Sequence, residues 1–315
     1  MRRPRGIEDI QPSVQPPAQR QSGSGTLRLI GIIILLLLVG MVILNLLPSI
    51  NIGGCVGQIE IVGEIASTSS YSAVGSDGIA KLIGQARDRP DVKALVVIID
   101  SPGGSVVASK EIYYALREVN KPIIAYIGDT GASGGYLVAL GADRIYADSA
   151  SITGSVGARA TVIDISRFLN STGVNATTIK SGEMKDIGDM FRPMTDEEKE
   201  LMNTAVNEIA AEFRSMVNES RDGKTSRYTP ASLEKIADAR ILTGKQAYEL
   251  GLVDELGTKK DAINAAARRA GLEDNPQICV IKAEKDLFSS LFSSMGRGIG
   301  EVLTQKLSVN DVRVS

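Results

Sequence analysis

The chain has 315 residues, 43% of them hydrophobic, enough for one large domain or two modest ones with a sizeable core. Lys and Arg number 35 against 37 Asp and Glu, and no basic cluster marks the globular part, so a nucleic-acid surface is not signalled. Histidine is absent and only two cysteines occur, Cys55 and Cys279, without metal-ligand spacing, which argues against zinc and haem sites and predicts no metal and no cofactor. The two cysteines read as separate thiols; a Cys55–Cys279 disulfide is the alternative for a chain outside the cytosol.

Residues 1–28 are rich in Pro, Gln, Ser and Gly, with few large apolar groups, and read as a disordered cytoplasmic tail. Residues 29–47, LIGIIILLLLVGMVILNLL, carry no charge and are long enough to span about 30 Å of hydrocarbon. A retained transmembrane helix is expected. The arginines at positions 2, 3, 5, 20 and 28 precede it, and the first charge after it is Glu60, so the N-terminus is expected in the cytoplasm and the rest outside.

The stretch VGQIEIVG (56–63) alternates as a strand does. Helix, buried strand and glycine turn follow in SDGIAKLIGQARDRPDVKALVVIIDSPGG, and the scheme repeats through KEIYYALREVNKPIIAYIGDTGASGGYLVALGADRIYAD. Continuous β-branched runs such as ALVVIID suit strands buried on both faces, and their alternation with helices predicts a mainly parallel α/β sheet with flanking helices. Thr195 and Glu198 form a T-x-x-E capping box ahead of a long helix. Shorter helices are expected near PASLEKIADA, GKQAYELG and TKKDAINAAARRAG, then a strand in ICVIKA. A helical C-terminal extension closes the chain, with Leu287, Phe288, Leu291, Phe292, Met295, Ile299 and Leu303 on one face.

Two glycine turns, IIDSPGGS (98–105) and YIGDTGASGGY (126–136), follow apolar strands, and in a parallel sheet both emerge at the carboxyl edge where such folds place their sites. Neither matches a phosphate-binding loop. A serine there lies near backbone N–H groups suited to a developing oxyanion, but its proton needs an acceptor. With no histidine, lysine is the remaining precedented base, and it must sit where burial or a nearby cation lowers its proton affinity. Lys180 and Lys185 stand among small and apolar residues, whereas Lys110 and Lys121 are expected to face solvent. Spacing alone does not choose between the first two.

Five ordered motifs, DSPGGSVVAS, GASGGYLVALGADRIYAD, ITGSVG, IKSGEMKDIGD and ILTGKQAYELGLVDELG, resemble the signal peptide peptidase A family of serine peptidases in its short, membrane-anchored form. The resemblance runs from about residue 56 to 272, and it implies a Clp/crotonase-like fold for that domain, with 273–315 as a C-terminal strand and amphipathic helix. It further implies Ser133 as nucleophile, Lys185 as general base and Ser155 as the hydroxyl that orients the lysine. Gly134 and Gly104, with Gly103 alongside, would form the oxyanion hole. By the same resemblance the substrates are remnant signal peptides or other hydrophobic peptides, and the partners are the bilayer and further copies of the chain in a ring, each lysine serving a neighbour's serine. A non-proteolytic crotonase-like scaffold is the alternative.

Overall fold

A computed structural model describes residues 30–39, 53–70 and 73–282. The chain divides into two units, Met1–Asn51 and Ile52–Ser315. In the first, residues 30–39 form helix α1, with its large apolar side chains exposed. Among the described residues no helix is long and apolar enough to cross a membrane. The remainder of the expected span, the N-terminal tail and the C-terminal amphipathic stripe lie outside the described residues.

In the second unit, β1 (Cys55–Val62), β2 (Glu64–Ala66) and β3 (Ala73–Gly75) lead into α2 (Ser76–Asp88) and β4 (Val92–Ser101). Next come α3 (Val106–Arg117), β5 (Ile123–Ala132), α4 (Gly134–Ala139), β6 (Arg144–Ala147) and β7 (Ile152–Gly154). The chain continues through α5 (Ser166–Ser171), α6 (Asp196–Arg221), α7 (Pro230–Lys235), β8 (Ile241–Thr243) and α8 (Gly244–Glu249). It closes with β9 (Glu255–Leu256), α9 (Lys259–Arg269) and β10 (Ile278–Val280). One sheet runs β10-β1-β4-β5-β6-β9, with β7 on β5 and β8 on β7. All its pairings are parallel except β7–β8.

Strand period divides β4 cleanly. Leu95, Val97 and Ile99 join the larger core with Ile83 of α2, Ile112 of α3 and Leu137 of α4. Ala94, Val96 and Ile98 face the other way, beneath Ala262 and Ala266 of α9, whose short side chains let that helix lie close to the sheet. Burial on both faces explains why this strand reads as an uninterrupted apolar run.

The later described elements are tied down twice. β10 adds parallel to β1, pairing Gly57 with Cys279, and this brings Cys279 beside Cys55 with Cα atoms 5.8 Å apart in a disulfide. The expectation of separate thiols is thus corrected: the pairing depends on which strand caps the sheet edge, and the two cysteines are 224 residues apart. Second, Arg221 at the end of α6 forks onto Asp254 with N–O distances of 2.8 and 3.0 Å, both side chains fully buried. Asp254 Oδ2 also accepts Ile145 N–H at 2.8 Å, and Arg221 Nε donates to Gly251 O at 3.0 Å. The pair joins α6, the turn after α8 and the start of β6.

Lys121 departs from its expected solvent position. Its Nζ donates to Ala86 O and Arg89 O at 2.8 and 2.6 Å, closing the C-terminus of α2, and burial lowers its pKa.

Candidate active site

The first glycine turn leaves β4 at Ser101, whose buried hydroxyl accepts Gly103 N–H at 3.1 Å. The turn is stitched to β2: Ile65 N–H donates to Gly103 O and Ser105 N–H to Ile65 O, both at 2.8 Å. Gly104 has φ +151°, and a methyl group added there would lie 2.1 Å from Ile65 O, so only glycine fits. With Gly103 and Ser105 committed, Gly104 carries the amide of this turn that has no acceptor among the described residues.

The second turn leaves β5 at Ser133, which stands at φ 51°, ψ −121°, outside the regions an L-residue ordinarily occupies. Surrounding bonds hold it there. Ser133 N–H donates to Gly154 O and Leu137 N–H to Ser133 O, each at 2.9 Å, while Tyr136 in α4 donates its buried hydroxyl to Leu252 O at 2.8 Å. The half-buried Ser133 hydroxyl makes no hydrogen bond among the described residues. Gly134 N–H, in the first turn of α4, has no intrahelical acceptor.

The two turns interlock. A methyl group on Gly103 would lie 2.6 Å from Gly134 N and 3.0 Å from Ser133 Cβ; one on Gly134 would lie 3.3 Å from Gly104 N and 2.3 Å from Ser109 Oγ. Glycine at both places therefore lets one backbone approach the other. The amides of Gly104 and Gly134 and the hydroxyl of Ser133 stand in one neighbourhood.

Ser155 joins them through β7. Ala132 pairs with Gly154, whose carbonyl receives Ser133 N–H, and Ser155 is the next residue, at φ 53° with its N–H on Arg240 O at 2.9 Å. Ser133, Ser155, Gly103, Gly104 and Gly134 are thus brought together.

Lys185 is not joined to them. It is exposed on a 3-10 turn, Glu183–Asp186, and its ammonium has no hydrogen-bond or ion-pair partner among the described residues. The neighbouring Asp186 is fully engaged. Arg192 reaches it from Nε at 2.9 Å and from Nη2 at 2.7 Å, and Lys180 Nζ at 2.7 Å. Arg192 also forks onto Glu198, whose carboxylate accepts Thr195 N–H at 2.9 Å in the capping box of α6. Arg192, then Lys180, holds the Asp186 carboxyl well below the usual range; Arg192, then the Thr195 amide, lowers Glu198 to about 2. Lys180, the other candidate base, is committed to Asp186 and Glu183 O.

Ser101, Ile65 and Arg192 also serve the site, although the sequence did not mark them. Ser101 was visible inside the SPGG motif, but nothing in its spacing gives its hydroxyl to Gly103 N–H. Ile65 meets Gly104 only through tertiary pairing. Among the described residues one group of potential metal donors occurs, Cys55, Asp91 and Cys279, and its two sulfurs are joined in the disulfide.

A free hydroxyl beside two open amides is the arrangement of an acyl-transfer site. Residues 115–273 match the family model of peptidase family S49. A protein named as a protease in Methanocaldococcus jannaschii is 38% identical over 226 residues, covering 70% of this chain and 71% of that one. One named as a signal peptide peptidase SppA in Enterococcus faecium is 31% identical over 227 residues, covering 71% of this chain and 64% of that one. Among solved structures, a ClpP1 variant from Listeria monocytogenes aligns with a TM-score of 0.44 at 15% identity, over 65% of this chain and 94% of its own. The class is that of the proteases. The chain belongs to peptidase family S49, with SppA-type proteins among its relatives.

Proposed function

We propose that this chain is a membrane-anchored serine endopeptidase with a Ser133–Lys185 dyad, cutting remnant signal peptides and other hydrophobic peptides outside the cytoplasm. Neutral Lys185 takes the proton of Ser133 Oγ as the oxygen attacks the scissile carbonyl. Gly104 and Gly134 N–H groups receive the oxyanion, and the Lys185 ammonium then protonates the leaving amine. In the second half Lys185 takes a proton from a water as its oxygen attacks the acyl-Ser133 carbonyl, and the resulting ammonium returns that proton to Ser133 Oγ as the ester bond breaks and the acid product leaves. Ser155, beside Ser133, orients the lysine. The observation that carries this reading is Ser133 itself: a hydroxyl at positive φ between two amides, all three without a hydrogen-bond partner among the described residues, in a chain with no histidine.

The lysine is supplied by a neighbouring copy. In support, the segment that carries it leaves Ile163, Phe168, Val174 and Ile179 exposed at 62, 65, 52 and 96%, apolar surface that a partner subunit would cover. The uncharged run 29–47 supports the membrane anchor, and the Cys55–Cys279 disulfide supports an oxidising compartment for the peptidase domain.

The test uses the full chain and an internally quenched Leu/Ala-rich peptide. Ser133→Ala and Lys185→Ala should each lose at least about 1,000-fold in turnover. Subunits of the two variants, mixed, should regain part of it. Equal turnover in all three proteins would overturn the dyad, and no rescue in proven mixed oligomers would confine each site to one chain.

A further inference from the structure

An exposed lysine makes a poor base if a carboxylate lies within reach, because an anion stabilises its protonated form. Lys185 has such a carboxylate as its immediate neighbour in sequence. Asp186 nevertheless makes no ion pair with it; both Asp186 oxygens are taken by Arg192 and Lys180. Arg192 also binds Asp186 O at 3.3 Å, so it grips both the side chain and the backbone of the turn that carries Lys185. Its other edge is fixed on Glu198, a buried residue in the first turn of α6.

The remaining charged groups of this segment and of the helix to which it is fastened do not replace Asp186 as a partner. Asp189 accepts Thr178 Oγ1 at 3.2 Å and Phe191 N–H at 2.9 Å, and Asp196 pairs with Lys199 at 2.9 Å. Asp164 accepts Ser166 N–H at 2.9 Å, and Glu183, Glu197, Glu200 and Glu208, like the cations Arg159 and Arg167, are exposed and make no ion pair among the described residues.

We propose that Arg192, assisted by Lys180, is a positioning residue for the proton-accepting lysine: it sequesters the Asp186 carboxylate and pins the turn to α6, leaving Lys185 without an acidic partner. The proposal rests on the general-base reading of Lys185. It assigns a task to the Arg192–Asp186–Glu198 cluster that a purely structural clamp would not have. A structural clamp, once broken, lowers turnover at every pH alike; a sequestering clamp also moves the pH at which the enzyme gains activity.

The experiment is the pH dependence of kcat/KM for the full chain with the same quenched peptide, between about pH 6 and 10. Arg192→Gln frees Asp186 and removes a nearby cation, both of which favour protonated Lys185. The midpoint of the acid limb should rise by about 0.5–1 pH unit, the low end of the range for a charge neighbour because the site is exposed. Turnover on the acid side of that limb should fall about 3- to 10-fold through this shift alone. Arg192→Gln with Asp186→Asn removes the freed anion and should return the midpoint to the wild-type value while turnover stays reduced. Lys180→Gln replaces an exposed side chain, leaves both Arg192 contacts to Asp186 in place and should move the midpoint upward by a smaller amount, which keeps the test open if Arg192→Gln fails to fold. Lys185→Ala separates the two layers. If it is inactive and neither Arg192→Gln nor Lys180→Gln shifts the midpoint, the sequestering role is wrong and the base assignment stands. If it is as active as wild type, the base assignment fails and the sequestering role falls with it.

Discussion

Asp254→Ala would strand a buried cation. The Arg221 guanidinium is 2% exposed and would lose both of its short contacts to Asp254, at 2.8 and 3.0 Å, while Ile145 N–H would lose its acceptor at 2.8 Å. Breaking a buried ion pair from one side costs about 3–5 kcal/mol, and an orphaned buried amide adds about 1–3 kcal/mol. Allowing for relaxation, a loss of about 4–6 kcal/mol is expected, most of the stability of a domain near the lower end of about 5–15 kcal/mol. In urea, with m of about 2–3 kcal/mol per M, the unfolding midpoint followed by circular dichroism should drop by about 2 M. Removing both charges in Arg221→Met with Asp254→Leu should recover most of the loss, because an apolar pair of similar volume leaves no ion uncompensated. A drop below about 0.4 M for Asp254→Ala, or a double variant no better than the single one, would refute the claim that this pair fastens α6 to the sheet.

Gly104→Ala places a methyl group 2.1 Å from Ile65 O and so must displace the amide assigned to the oxyanion; kcat should fall about 100- to 1,000-fold with KM little changed, as read by steady-state kinetics. Cys55→Ser should lower stability by about 2–4 kcal/mol in thermal unfolding under oxidising conditions and make no difference under a strong reductant, where the wild type would have lost the same cross-link. Phe168→Glu with Ile179→Glu, both on exposed apolar positions, should lower the oligomer mass measured by light scattering and reduce turnover in parallel, without altering the thermal midpoint of the subunit by more than about 3 °C.

The fold was legible where burial and periodicity coincide. β4 and the first half of β5 announce themselves because strand segments buried on both faces read as near-continuous apolar runs, and α6 because Thr195 and Glu198 cap it in the expected reciprocal way. The serine and both glycine turns of the candidate site were also legible, since close backbone approach and positive φ restrict residue choice sharply. The segment between Ser155 and Thr195 was not. It is held by Arg192, Asp186, Lys180 and Glu198, an ion network whose members have no common period, and beyond the buried Val156 several of its large apolar residues, Ile163, Phe168, Val174 and Ile179 among them, are exposed instead of building a core. Lys121 shows a related limit: its place near a helix exit suggested solvent, yet the carbonyls that end α2 need a donor and Lys121 supplies it. The Cys55–Cys279 link was hidden because strand neighbours at a sheet edge are chosen by topology and not by local sequence.

Acylation of Ser133 with the help of Lys185 is the step on which the proposed function stands. Its most direct test is mass spectrometry of the full chain after rapid quenching with a slowly hydrolysed peptidyl ester, followed by digestion and mapping of the acyl group. A covalent adduct is expected on Ser133 in the wild type, none at that position in Ser133→Ala, and a rate of adduct formation at least about 100-fold lower in Lys185→Ala. An adduct on another residue, or one formed on Ser133 at the same rate without Lys185, would contradict it.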